Sequence, residues 1–238
     1  MTIRVEAAGR THVGLVRQRN EDAFHIGRSL LAVADGLGGH VAGNIASKTA
    51  IEALRPYDRL VEPASLATVL GQAVNGASTA LRHRVEAEPQ LAGMGTTLVA
   101  MLYSGAAAVL ANVGDSRAYL LRDRNAASAG ATQQITEDHT FEHLVADAAH
   151  VPELPERLSR FLDGRADGRS PDLTPWDLRP GDRFLLCSDG LSSYVPHELI
   201  HTALSTSSEP GKAADRLVAL AIDQGGPDNI TVIVTDIS

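Results

Sequence analysis

The hydrophobic positions fall into short runs separated by turn signals. Ser29–Ala34 (SLLAVA) is an apolar run closed by Asp35-Gly36, and it predicts a buried strand. Val41–Leu54 is Ala-rich with apolar spacings of three and four, which predicts a helix. Ser65–Glu86 predicts a second helix, with Ser65 as its N-cap and Pro89 just beyond its end. Thr96–Tyr103, Ala106–Asn112 and Arg117–Leu121 are three closely spaced apolar runs. Ser104-Gly105 and Gly114-Asp115 lie between them, so the spacing predicts an antiparallel meander. Phe141–Ala149 reads as a short helix, and Val151–Asp182, rich in Pro, Gly, Arg and Asp, as the least regular stretch. Arg183–Cys187 reads as a strand closed by Asp189-Gly190. Pro196–Leu204 and Lys212–Ile222 read as helices, and Ile230–Ile237 as a final strand. Strands in hairpin-sized groups with helices in pairs predict an α+β chain, antiparallel sheets covered by helices, rather than a repeating βαβ unit.

Composition narrows the function. The 238 residues are 44% apolar and 21% charged, an ordinary globular balance, with no repeat or long linker, so residues 1–238 read as one domain. The net charge of −8 disfavours generic binding to nucleic acid or an anionic membrane. The single cysteine, Cys187, excludes an intrachain disulfide and a thiolate zinc cluster. The first ten residues carry Arg4, Glu6 and Arg10 and no apolar core, unlike a signal peptide. No apolar run approaches a membrane span. The expectation is a cytoplasmic chain that is monomeric.

The aspartates carry the chemistry. Asp35 and Asp189 each close an apolar strand and precede a glycine. Asp115 sits in a tight turn, Asp228 directly precedes the last strand, and Glu21-Asp22 precedes the first. One Asp-Gly is most often a plain turn, because Gly supplies φ > 0 and Asp bonds its own backbone. Four such turns closing buried strands point instead to carboxylates converging at a sheet edge, where a cation must offset their repulsion. All-oxygen donors suit Mg²⁺ or Mn²⁺ rather than zinc or copper. Two such ions form a site suited to phosphate ester hydrolysis. Competing chemistries fail on spacing. Cys187 has Ser193 where a cysteine phosphatase needs arginine, Ser116 lacks the glycines of a nucleophile elbow, and Gly36-Leu37-Gly38-Gly39 precedes no Gly-Lys-Ser/Thr. The nine histidines are scattered and read as surface or satisfied polar residues.

Seven segments, in order, resemble the metal-dependent type 2C protein phosphatases, bacterial subgroup. They are Arg17–Asp22 (RQRNED), Asp35–His40 (DGLGGH), Met94–Thr97 (MGTT), Gly114–Arg117 (GDSR), Thr136–His139 (TEDH), Leu186–Leu191 (LCSDGL) and Gly226–Thr231 (GPDNIT). Any one is weak; the ordered set is specific. The resemblance implies an antiparallel β-sandwich flanked on both faces by helix pairs. It implies a serine/threonine phosphoprotein phosphatase that hydrolyses its substrate directly, without a phosphoenzyme. Asp35 would bridge two Mn²⁺ or Mg²⁺ ions, with the Gly36 carbonyl on one and Asp189 and Asp228 on the other. Asp22, Glu21 and Asn229 would hold the metal waters, and Arg17 the substrate phosphate. A weaker third ion would lie between Asp115 and Asp189. The partners implied are phosphorylated proteins and an opposing serine/threonine kinase. The alternatives are a silent pseudophosphatase that binds partners and a small-molecule phosphatase on the same fold; the first would be expected to have lost Asp35, Asp189 or Asp228. Three positions depart from the family pattern. Leu37 stands where animal enzymes carry a histidine acid, Ser193 where a carboxylate is frequent, and the Phe141–Gly164 segment is shorter than the bacterial flap.

Overall fold

The computed structural model describes residues 3–38, 42–124, 130–141, 158–165 and 170–238. In chain order the strands are β1 (Val5–His12), β2 (Asp22–Ile26), β3 (Leu30–Leu37), β4 (Gly95–Thr96), β5 (Leu98–Ser104) and β6 (Ala107–Val113). They continue as β7 (Arg117–Leu121), β8 (Gln133–Gln134), β9 (Asp172–Asp177), β10 (Arg183–Cys187) and β11 (Ile230–Ile237). The helices are α1 (Ala42–Leu54), α2 (Leu66–Ala87), the short α3 (Asp189–Ser192), α4 (His197–Thr206) and α5 (Pro210–Asp223). One sheet has the order β1-β11-β10-β7-β8. The other has β2-β3-β5-β6-β9, with β4 added against β3, and every pairing is antiparallel.

The side-chain period of two builds the layers. In β3, Leu31 and Val33, with Val99 of the neighbouring β5, face the other sheet and share a core with its Phe184, Leu186 and Ile233. Leu30, Ala32 and Ala34 face the opposite way, onto Ala46, Ala50, Leu70 and Leu81 of α1 and α2. In β11, Val232 and Val234 turn toward Ile200, Leu204 and Leu217 of α4 and α5, while Ile233 enters the space between the sheets. Strands buried on both faces show as continuous apolar runs. Three cores stacked in this way make a four-layer α-β-β-α sandwich, the fold the motifs implied. No helix among the described residues is long and apolar enough to cross a membrane.

Several local expectations change. The predicted meander is only half formed: β5 pairs with β6, but β7 crosses to the other sheet and pairs with β10. Closely spaced apolar runs look the same whether a turn closes a hairpin or joins two sheets. Strand β3 does not end at Asp35; it runs to Leu37, because β4 supplies a partner for Gly36 and Leu37. Asp189 does not close its strand either. The strand stops at Cys187, and Asp189 opens α3. Ser65 precedes α2 in a tight turn begun by Pro63, and its side chain makes no cap bond. Strands β1, β2 and β9 carried no clear apolar signal, since their exposed and half-buried residues alternate weakly. Most of the Phe141–Ala149 segment lies outside the described residues, as do Gly39 and His40.

Candidate metal and phosphate site

At one edge of the sandwich a cleft of about 570 Å³ opens between the N-terminal loop and the two sheets. Its walls include Arg17, Glu21, Asp35, Gly36, Asp189 and Asp228. Register puts two carboxylates side by side: Asp22 on β2 lies directly opposite Asp35 on β3. Like charges in that position destabilise a strand pair unless something neutralises them. Asp189 arrives from the other sheet at the start of α3, and Asp228 from the turn before β11.

Hydroxyls embedded in the strands hold this edge. Thr96 Oγ1 donates to the Asp35 carbonyl at 2.8 Å, and Thr97 Oγ1 accepts the Asp35 N–H at 3.0 Å. Thr97 Oγ1 also lies 2.7 Å from Ser116 Oγ, tying Asp35 to the turn that carries Asp115. Ser188 Oγ donates to Asp22 Oδ2 at 2.7 Å and accepts the Thr231 N–H at 3.0 Å. Gly36 allows a close approach. A side chain there would start 2.1 Å from the Gly43 carbonyl oxygen, so only glycine lets α1 sit against the acidic strand.

Electrostatics mark the cluster as strained. Burial pushes Asp22 up to about 7, with repulsion from Asp189 and Asp228 adding to the effect against hydrogen bonds from Thr231 and Ser188. Burial, then repulsion from Asp22, Asp189 and Asp115, holds Asp35 well above the usual carboxylate range. Burial also raises Asp115, to about 7, with Asp189 as its main repelling neighbour, and it raises Asp189 itself. Asp35 and Asp189 act on each other across the two sheets: Asp189 pushes Asp35 up, by repulsion and by hydrogen bonding to its protonated form. Asp22 Oδ1 and Asp189 Oδ1 are buried and without a partner. Mutually repelling carboxylates crowded at one sheet edge, two of them with a partnerless oxygen, are what a pair of hard cations would satisfy. Among the described residues, no three acidic, imidazole or thiol groups close round a single point. A cation here therefore needs backbone or water oxygens to complete its shell, which Mg²⁺ and Mn²⁺ accept. The donor set fits them.

Not every predicted residue faces the cleft with free groups. Arg17 is more than half exposed at the mouth, but its Nη2 donates to Asp228 Oδ2 at 2.7 Å. Asn229 is spent on the chain. Its Nδ2 donates to the carbonyls of Val13 and Arg19, both at 2.9 Å, and its Oδ1 accepts the Glu21 N–H at 2.7 Å. It clamps the loop that carries Arg17. The Glu21 carbonyl accepts Ser47 Oγ–H at 2.5 Å and the Gly36 N–H at 3.2 Å, pinning the loop to α1 and β3. Cys187 is fully buried, and burial pushes its thiol up to about 12, so it remains a protonated apolar group.

Sequence reading missed the residues behind the ligands. His139, passed over among scattered histidines, accepts the Gly114 N–H on Nδ1 at 3.0 Å, and its backbone N–H donates to the Gly114 carbonyl at 3.0 Å. Arg117 beside it makes a fork to Asp138, its closest contact 2.6 Å. GDSR and TEDH are thus two halves of one clasp around Asp115.

A family model described as "Protein phosphatase 2C" matches residues 8–220. The chain belongs to the protein phosphatase 2C family. It is 44% identical over 244 residues to the serine/threonine protein phosphatase PstP of Mycobacterium tuberculosis, matching 100% of this chain and 46% of that protein. The chain thus spans about half the length of that relative. It is 32% identical over 250 residues to the serine/threonine phosphatase stp of Listeria monocytogenes serovar 1/2a, covering 98% of this chain and 96% of the relative. Among solved structures, the PstP catalytic domain in complex with two manganese ions superposes with a TM-score of 0.88 at 44% identity, covering 99% of both chains.

Proposed function

We propose that this chain hydrolyses phosphoserine and phosphothreonine in proteins, as a single catalytic unit spanning 1–238 that works with two Mn²⁺ or Mg²⁺ ions. The observation that carries the reading is the strained cluster of Asp22, Asp35, Asp115 and Asp189, with Asp228 paired to the half-exposed guanidinium of Arg17 beside it. The names of its relatives, serine/threonine phosphatases, and the two manganese ions of the PstP catalytic domain support it.

Asp35, Asp189 and Asp228, with the Gly36 carbonyl, would hold the cations; Asp22, Glu21 and Asn229 order the edge around them. When bound, such ions supply Lewis-acid charge that acidifies water and offsets charge on the transferring phosphoryl group. The residues of the chain do the positioning. Arg17 moves its fork from Asp228 to two phosphoryl oxygens, a bidentate match. Thr96 and Thr97 fix the Asp35 backbone, so the acidic edge does not reorganise as charge develops. Among the described residues the two candidate side-chain nucleophiles are otherwise engaged: Cys187 is buried and protonated, and Ser116 Oγ bonds Thr97. Direct hydrolysis follows. Leu37 has no ionisable proton to give, so the leaving group's proton would come from elsewhere, from water held at the cation site.

The partners are phosphorylated proteins and, by implication, the kinase that modifies them; we read the chain as a monomer. The test is release of phosphate from a phosphothreonine peptide with Mn²⁺, with excess EDTA, and with Asp189→Asn. Activity that survives EDTA or the substitution ends this reading. A chain that binds the peptide and Mn²⁺ without turnover is a pseudophosphatase.

A further inference from the structure

Directly before Arg17, the loop sets two large apolar side chains in water. Leu15 is 63% exposed and Val16 68% exposed. Scattered exposed aliphatics need no explanation, but these two are adjacent and directly precede Arg17, which lines the cleft. They are also held in place. The Leu15 N–H donates to the Gly226 carbonyl at 2.7 Å, and the Gly14 N–H to His12 Nδ1 at 2.9 Å. Gly14 has φ +82, and a side chain there would start 2.3 Å from the Asp228 carbonyl oxygen, so the loop is locked against the turn that carries Asp228. Asn229 clamps the same loop on both sides, at Val13 and at Arg19. An apolar pair on a braced loop loses little conformational freedom when covered, which favours binding.

The position defines the occupant. Arg17, Gln18 and Arg19 line the cleft, and Leu15 and Val16 directly precede them in the same braced loop, Leu15 beside Gly226 of the turn that leads to Asp228. A chain whose phosphate is held at Arg17 has its flanking residues within reach of this exposed pair. Resting on the phosphoprotein reading above, we infer that Leu15 and Val16 form an apolar subsite for the substrate chain. It takes an aliphatic or aromatic side chain flanking the phosphorylated residue. The loop would then read two features in succession, phosphate through Arg17 and an apolar neighbour through Leu15 and Val16. A small phosphate ester has no such neighbour and cannot use it.

The test compares the wild type with Leu15→Ser/Val16→Ser, each with Mn²⁺, on three substrates. These are 4-nitrophenyl phosphate, a phosphothreonine peptide with leucine on both sides, and the same peptide with serine on both sides. Covering roughly half of each aliphatic side chain is worth about tenfold in kcat/KM, read as a higher KM for the leucine peptide alone. The other two substrates should change less than about twofold. Equal losses on all three would make the pair structural and overturn the inference, as would no loss on the leucine peptide. A change of oligomeric state in the variant, seen by light scattering, would make the face a contact between copies and overturn it as well. Should the wild type prove inert on every ester, the phosphatase reading falls separately. The affinity of the labelled leucine peptide, read by anisotropy, then decides: a weaker Kd in the variant sustains the subsite, and an equal Kd ends it.

Discussion

Thr97 Oγ1 and Ser116 Oγ lie 2.7 Å apart, and through this contact the strand carrying Asp35 is joined to the turn carrying Asp115. Both hydroxyls are fully buried. Because Thr97 Oγ1 also accepts the Asp35 N–H, its own proton is available for Ser116. The bridge joins two carboxylates that belong to different stretches of chain and that repel one another.

Thr97→Val keeps the shape and removes the acceptor of the Asp35 N–H. Leaving a buried donor unsatisfied costs about 1–3 kcal/mol. The expected result is a lower urea midpoint together with at least a tenfold fall in kcat, with KM little changed. Thr97→Ser should recover most of both. Chemical denaturation and steady-state kinetics on one set of variants settle it; full activity in Thr97→Val would show that the bridge does not position Asp35.

The raised carboxylates fix the sign of the pH dependence in metal-free protein. Asp22 and Asp115 sit near 7 when folded against an ordinary carboxylate value of 3.8, and Asp35 and Asp189 are also raised. Between about pH 4 and 7 the folded state therefore binds more protons than the unfolded state, and stability falls as pH rises through that window. At ~1.36 kcal/mol per pKa unit and roughly 2–4 °C per kcal/mol, each proton lost near pH 7 lowers Tm by on the order of 5–10 °C from pH 5 to pH 8, and a fall of at least that size is expected. Saturating Mn²⁺ should reverse the trend, since it binds the deprotonated cluster and only in the folded state. Differential scanning fluorimetry in EDTA and in Mn²⁺ gives both curves. A metal-free Tm that rises across this range, or Asp35→Asn with the same slope as wild type, would contradict the assignment.

Arg17 is bound to Asp228 rather than waiting free, so its removal has two consequences. Arg17→Ala should raise KM for phosphopeptides by the worth of a charge-assisted contact, about 1.5–3 kcal/mol or roughly ten- to a hundredfold. It should also free Asp228 and tighten Mn²⁺ binding modestly. Arg17→Lys keeps the charge but loses the fork, so it should recover only part of KM. Unchanged KM in Arg17→Ala would remove the residue from phosphate binding.

What the sequence made legible follows from physics that acts locally. Arg183–Cys187 and Ile230–Ile237 were found with their observed bounds, because strands buried on both faces leave apolar runs such as Leu185-Leu186 and Val232-Ile233-Val234. The half-exposed β1, β2 and β9 leave no such trace. Asp22 was read as lying ahead of the first strand, whereas it stands within β2 opposite Asp35, a pairing no one-dimensional pattern displays. The crossover at Gly114-Asp115 was hidden for the same reason. The acidic residues themselves were visible at their turns. Their supports, Thr97, Ser188 and His139, were not singled out, since a hydroxyl or imidazole acquires its role only from a partner distant in sequence.

The last expectation concerns how many cations the edge holds tightly. Asp115 is coupled to Asp189 by repulsion, so a third ion between them has two carboxylates to draw on. The position that could supply another carboxylate is Ser193. Its backbone N–H caps the Asp189 carbonyl at 2.8 Å, and the residue is exposed, so it contributes neither charge nor an enclosed oxygen. Hard cations depend on the number and charge of their oxygen ligands for affinity. The edge should therefore take two Mn²⁺ equivalents tightly and a third at least about tenfold more weakly. Isothermal titration calorimetry should resolve the two classes. Asp115→Asn should abolish the weak class and leave the tight pair, whereas Ser193→Asp should strengthen it and shift it toward the tight range. Three equivalents of equal affinity in the wild type would show that water ligands make up the shell unaided and that Ser193 has no bearing on the site.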